Sequence, residues 1–173
     1  MARDEAGIVD LEALALRSGE AATLDLRLRP SAPVAGGQEL AIAESPLPAR
    51  LDVSRTSSGY ALRLRSAAML AGECARCLDP AEQRVEVDAR EVDQPSTEDE
   101  ELRSPYVIEA RLDAEAWLHD AITLALPDQV LCRRDCGGLC EVCGVSLNEV
   151  DASEHRHGRT LDPRFAKLRE LAE

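Results

Sequence analysis

Polar and apolar residues alternate in several short stretches of the first hundred residues. Leu24-Asp25-Leu26-Arg27-Leu28-Arg29 places a leucine at every second position before Pro30, the pattern of a strand with one buried face. Pro30 to Gly37 is rich in turn residues. Arg50-Leu51-Asp52-Val53-Ser54-Arg55 alternates again, and Ser57-Ser58-Gly59 reads as a hairpin turn into Tyr60-Ala61-Leu62-Arg63-Leu64-Arg65. Arg84-Val85-Glu86-Val87-Asp88 predicts a further strand reaching towards Val92, and Tyr106-Val107-Ile108-Glu109 another extended segment. Helical spacing occurs in three places. Leucines at 11, 14 and 16 predict a short helix over Val9–Leu16 that ends at Gly19. Asp113 caps a helix that runs to about Leu126 and stops at Pro127, with Trp117, Leu118, Ala121, Ile122, Leu124 and Ala125 on a wide apolar stripe. Trp117 is a core anchor on this reading, and His119 faces solvent. Asp162-Pro163 opens a last helix whose inner face carries Phe165, Leu168 and Leu171. The pattern as a whole predicts an α+β fold: a twisted antiparallel sheet or half-barrel, one central helix, a Cys-rich zinc-binding tail and a short C-terminal helix. An acidic body over residues 1–129 carries a flexible acidic loop at 94–104, and residues 130–173 form the tail. The charge run Glu98-Asp99-Glu100-Glu101 in that loop reads as a solvated segment, or as a phosphate mimic facing an Arg-rich partner.

Composition sharpens this picture. Only 2% of the 173 residues are aromatic, so the core is built from Leu, Val, Ile and Ala. Arginine and lysine total 20 against 33 acidic residues, a net charge of -13, and the single lysine is Lys167. Such a chain is poorly suited to following a nucleic-acid backbone by charge alone. The longest purely apolar run, Ala67 to Ala71, falls far short of the roughly twenty residues a spanning helix needs. The start, Met1-Ala2-Arg3-Asp4-Glu5, has no hydrophobic signal core, and the expected location is cytoplasmic.

Six cysteines stand at 74, 77, 132, 136, 140 and 143. In a reducing compartment such tight grouping favours a metal or redox site over a disulfide framework. Cys132, Cys136, Cys140 and Cys143 follow a C-x3-C-x3-C-x2-C pattern, which suits tetrahedral Zn²⁺ with sulfur ligands. Gly137-Gly138 lets the chain reverse so that both pairs meet. His155 and His157 are either two further ligands or part of an exposed loop; one residue between them is too short for the usual C-x2-C…H-x3-5-H finger. An iron–sulfur cluster is a minor alternative on ligand type. No H-x-E or H-E-x-x-H element accompanies the thiols, so the zinc reads as structural. Arg133 and Arg134 either offset the charge of the thiolates or offer an interaction handle. Cys74 and Cys77 hold a second metal, share the tail's metal, or pack as two small buried residues, the reading preferred because free Cys packs readily in cores.

Cys74-Ala75-Arg76-Cys77-Leu78, Leu124-Ala125-Leu126-Pro127, the block from Leu131-Cys132 to Leu147-Asn148 and the closing Asp162-Pro163-Arg164 together resemble the YceD family of large ribosomal RNA subunit accumulation proteins. The likeness covers about residues 60 to 171, and the first fifty residues match loosely. It implies a bacterial, cytoplasmic, non-enzymatic factor that supports accumulation of large-subunit (23S) ribosomal RNA. It also implies that C-x-R-C, here Cys74, Arg76 and Cys77, is the family's central mark, of unknown role. Some relatives carry C-x-C where this chain has His155-Arg156-His157, which supports these histidines as ligands. No catalytic residues and no small-molecule substrate carry over.

Charge then limits how such a factor works. Residues 1–129 hold 13 basic and 25 acidic side chains, whereas residues 130–173 hold 7 and 8. Either the acidic body binds a basic large-subunit ribosomal protein, or the near-neutral tail touches ribosomal RNA through Arg133, Arg134, Arg156 and Arg159. The first is preferred, because opposite charges speed encounter and suppress wrong partners. With two Tyr and one Phe, base stacking is at most minor. The alternatives are a thiol redox protein using Cys74 and Cys77, a zinc-dependent enzyme, or an interaction scaffold unrelated to ribosomes.

Overall fold

A computed structural model of the protein describes residues 7–96, 99–151, 155 and 157. Its strands are β1 (Ile8–Asp10), β2 (Ala21–Leu28), β3 (Val34–Ala35), β4 (Gln38–Glu39), β5 (Ala41–Ile42), β6 (Leu47–Arg55), β7 (Tyr60–Glu73), β8 (Pro80–Asp93), β9 (Val107–Ile108) and β10 (Arg111–Asp113), followed by helix α1 (Ala114–Ala125). The fold is α+β and mostly antiparallel sheet. The expected C-terminal helix from Asp162, with Phe165, Leu168 and Leu171, lies outside the described residues, as do Arg156, Arg159 and Glu98. The described residues fall into two compact units, one ending at Arg134 and the other starting at Asp135.

In the first unit the main sheet runs β2-β6-β7-β8, with β5 beside the far end of β7. Its inner face follows from the alternation. Leu51, Val53, Leu62, Leu64, Leu70, Val85 and Val87 are buried, while the arginines and carboxylates between them face out. Across the outer face, Arg63 pairs with Asp88 at 2.7 and 2.6 Å, and Asp52 takes bonds from Thr23 Oγ1 and Arg65. The Thr23 hydroxyl and then Arg65 and Arg50 outweigh the opposing effect of burial and lower the Asp52 carboxyl. The predicted hairpin forms as read: Thr56 N donates to the Gly59 carbonyl at 2.9 Å, and Thr56 Oγ1 accepts from Gly59 N. A Cβ on Gly59 would sit 1.8 Å from the Asp93 carbonyl oxygen, so only glycine fits there.

Helix α1 starts as predicted, with Asp113 Oδ1 accepting from Ala116 N at 2.9 Å. Trp117, Leu118, Ala121 and Ile122 are buried against the sheet, but Leu124 is 85% exposed. His119 is not simply solvent-facing. Its Nδ1 meets the Ser31 carbonyl at 2.9 Å, and Glu115 accepts from Arg29 N at 2.7 Å, which ties α1 to the segment after β2.

The early helix over Val9–Leu16 is not formed. Ile8–Asp10 instead pairs with Arg111–Asp113 in the small β1-β10-β9 sheet, and only Glu12–Leu14 makes a single 3-10 turn. Leu11 is fully buried and Leu14 and Leu16 are not, so the apolar positions serve a strand end rather than a helix face. Within 94–104, Asp99 accepts from Glu101 N and Glu100–Leu102 forms a 3-10 turn.

Candidate metal centres

Two C-x2-C segments adopt the same turn. In the first unit, Cys74 N donates to the Asp79 carbonyl at 2.8 Å and Leu78 N donates to the Cys74 carbonyl at 3.0 Å. In the second unit, Cys140 N donates to Val145 and Gly144 N to the Cys140 carbonyl, both at 2.8 Å. The residue four places after the first cysteine is left-handed in both, Leu78 at φ 64° and Gly144 at φ 74°. Glycine adopts that conformation freely, whereas leucine there costs about 1 kcal/mol or more. Each turn curls the backbone around its first cysteine, so nearby N–H groups point at sulfur.

The first turn joins β7 to β8. Arg76 N lies 3.4 Å from Cys74 Sγ, and Ala75 N donates to the Val130 carbonyl at 2.8 Å, which brings the segment after α1 alongside. Cys77 Sγ and Cys132 Sγ are 3.5 Å apart, and the sulfurs of Cys74, Cys77 and Cys132 all lie within 4.8 Å of one another. Two thiolates on one tetrahedral zinc, each at about 2.3 Å, stand about 3.8 Å apart. Cys74 and Cys77 are buried, and Cys132 is partly so. Burial pushes the Cys74 thiol up, but the N–H groups of Cys132, Arg76 and Cys77, with the Cys77 thiol, outweigh it and lower Cys74 to about 6. Arg76 Nε reaches Gln129 Oε1 at 3.4 Å.

The second unit begins around Cys136, which is buried. Asn148 fastens this part: its Nδ2 lies 3.4 Å from Cys136 Sγ, and its Oδ1 accepts from Gly137 N at 2.8 Å. Leu139 and Ser146 form an antiparallel bridge that closes the loop carrying Cys140 and Cys143. His155 Nε2 is 3.5 Å from Cys143 Sγ and 3.0 Å from His157 Nε2, and one donor atom from each of Cys140, Cys143, His155 and His157 falls within 4.8 Å of the others. These separations suit two sulfurs and two nitrogens around one ion. The Cys143 N–H, then the His155 ring and the Val142 N–H, lower Cys140 to about 6 against a small opposing effect of burial.

Two groups of candidate ligands come together. Cys132 stands with Cys74 and Cys77; Cys140 and Cys143 stand with His155 and His157. Both groups could hold a metal ion. The sequence signal that pairs the two C-x2-C turns is their shared shape, a left-handed residue four places after the first cysteine, which Gly144 advertises and Leu78 hides. Arg133 and Arg134 are exposed.

Both turns and the strands between them fall inside residues 62–172, the span matched by the profile of the family described as large ribosomal RNA subunit accumulation protein YceD. The chain belongs to the YceD family. An uncharacterised protein of Mycobacterium tuberculosis strain H37Rv is 38% identical over 175 residues, covering 94% of this chain and 80% of its own length. A counterpart in Mycobacterium bovis shows the same figures. An uncharacterised protein of Mycobacterium leprae is 32% identical over 142 residues, or 78% of this chain and 64% of its own. No solved structure matches the chain.

Proposed function

We propose that this chain is a non-enzymatic cytoplasmic factor that supports accumulation of large-subunit ribosomal RNA, acting by holding a basic large-subunit ribosomal protein on its acidic body. Membership of the YceD family carries the ribosomal part of this reading. The net charge of -13 carries the mode of binding, because an acidic surface attracts a basic protein and repels a phosphate backbone. No helix of the described residues is long and apolar enough to cross a membrane.

In the same proposal the two ligand groups are structural zinc centres. Cys140, Cys143, His155 and His157 supply one full set. Cys74, Cys77 and Cys132 supply three donors of the other. Bound zinc would crosslink segments that carry little apolar surface of their own. The lowered Cys74 thiol also favours a second reading, thiol redox chemistry at Cys74 and Cys77. Full burial of Cys74 weighs against it, since a reactive thiol needs access to its substrate. Thiol–disulfide turnover lost in Cys74→Ser would establish that second reading.

The deciding experiment is affinity purification of the tagged protein from growing cells, with and without RNase. Large-subunit ribosomal proteins that persist after RNase support the proposal. Ribosomal material that vanishes with the RNA would move the working surface to the arginine-bearing tail. Absence of ribosomal material from both halves would sink the ribosomal role.

A further inference from the structure

Among the described residues, the outer edge of β8 is unpaired and lies beside a groove. The bond from Cys74 N to the Asp79 carbonyl puts these residues at a hydrogen-bonded position of the ladder, and the β7–β8 register continues without a break to Tyr60↔Asp93. Antiparallel pairs alternate between bonded and non-bonded. The odd-numbered residues of β8 therefore bond to β7, and Glu86, Asp88 and Arg90 turn their N–H and C=O groups to the outer edge. Among the described residues, no backbone hydrogen bond reaches that edge between Glu86 and Glu91.

A groove of about 540 Å³ follows the same six residues, with Trp117, Ala121 and Leu124 of α1 on its opposite wall. Side chains from both faces of a strand can line one groove only where it opens along the strand's edge. Six residues of edge offer about 20 Å of backbone. The far wall is apolar, and Leu124 is 85% exposed there. Arg63 and Arg84 engage Asp88 and Glu86 on the outer face. Glu91 in the groove and Asp120 of α1 instead have the hydroxyls of Ser104 and Tyr106 as partners, and burial raises the Glu91 carboxyl.

We propose that the outer edge of β8 is a docking site for an extended, basic segment of a partner protein, which adds to the sheet as one more strand in the groove beside α1. The proposal rests on the protein-binding reading above and names its surface. The free edge supplies affinity through backbone bonds, and the groove supplies selection. Cationic side chains meet Glu91 and Asp120, and the alternate side chains of the added strand pack on Leu124 and Ala121. The body's excess of acid over base favours a basic occupant over a second copy of this acidic chain.

The probe is a fluorescent octapeptide of alternating lysine and valine, titrated into the full chain and read by anisotropy and amide exchange. The expected result is saturable binding that slows exchange at residues 86, 88 and 90, with at least tenfold weaker binding of a glutamate–valine octapeptide. Arg90→Pro removes an outward N–H without touching the β7 ladder, and it removes a positive charge, so electrostatics alone would strengthen binding. A tenfold loss in Arg90→Pro, and a similar loss in the exposed variant Leu124→Lys, supports edge docking. Equal binding by Arg90→Pro and the native chain overturns it, as does a β8-mediated dimer that excludes the peptide. If Arg90→Pro still captures ribosomal proteins after RNase, the edge proposal fails while the function stands. Peptide docking by a chain that captures no ribosomal material leaves the groove and removes the function.

Discussion

At the scale of single residues, the candidate metal chemistry rests on the cysteines together with His155 and His157. Backbone N–H groups aimed at Cys74 and Cys140 stabilise thiolate, the form that ligates metal. Asn148 holds both the Cys136 sulfur and the Gly137 N–H, a supporting contact of the kind that fixes a ligand's orientation. Elemental mass analysis of the native chain is expected to find two zinc ions per molecule. Cys74→Ser/Cys77→Ser and Cys140→Ser/Cys143→Ser should each retain one. A native content of one, or a variant that loses both, would show that the groups do not act separately. That the cysteines could hold a metal was legible from their spacing. Their partition was not, because Leu78 occupies in one turn the left-handed position that Gly144 fills in the other, and leucine gives no hint of it.

Among the elements, β7 is the organiser. It pairs with β6 along one edge and with β8 along its full length on the other, and its even-numbered leucines form the centre of the core. Leu64 is fully buried, so Leu64→Ala should cost about 2–5 kcal/mol in denaturant unfolding. Leu124→Ala on the exposed face of α1 should stay within about 0.5 kcal/mol. Comparable losses at both positions would contradict this burial pattern. The strands with alternating charge and leucine, the Ser57-Ser58-Gly59 hairpin and the Asp113 cap were all readable, because each rests on local steric or hydrogen-bonding preferences. Val9–Leu16 was misread because three leucines at helical spacing also suit a strand followed by one tight turn. The partner that decides between them, β10, lies a hundred residues away.

At the scale of the whole molecule, the proposed zinc bears on stability where apolar surface is scarce. The core of the main sheet is largely aliphatic, whereas the described residues from Cys136 to Asp151 are held by loop hydrogen bonds around the cysteines. Removing metal with a chelator should therefore abolish amide protection over residues 130–151 while strands β6, β7 and β8 keep theirs. Retained protection in the tail would remove the structural role assigned to zinc; loss of protection in the strands would show that the first centre supports the sheet as well.

The residues by themselves determined the acidic character, the aliphatic sheet, the capped helix and a thiol-rich metal chemistry, since these depend on composition and on neighbours a few places apart. Only the tertiary structure decided that Cys132 stands with Cys74 and Cys77, and that among the described residues the outer edge of β8 is unpaired beside α1. Both depend on segments more than twenty residues apart being brought together, the first by the bond from Ala75 to Val130 and the second by the way α1 returns across the sheet. Contacts of that range follow from how strands and helix pack, which local spacing does not encode.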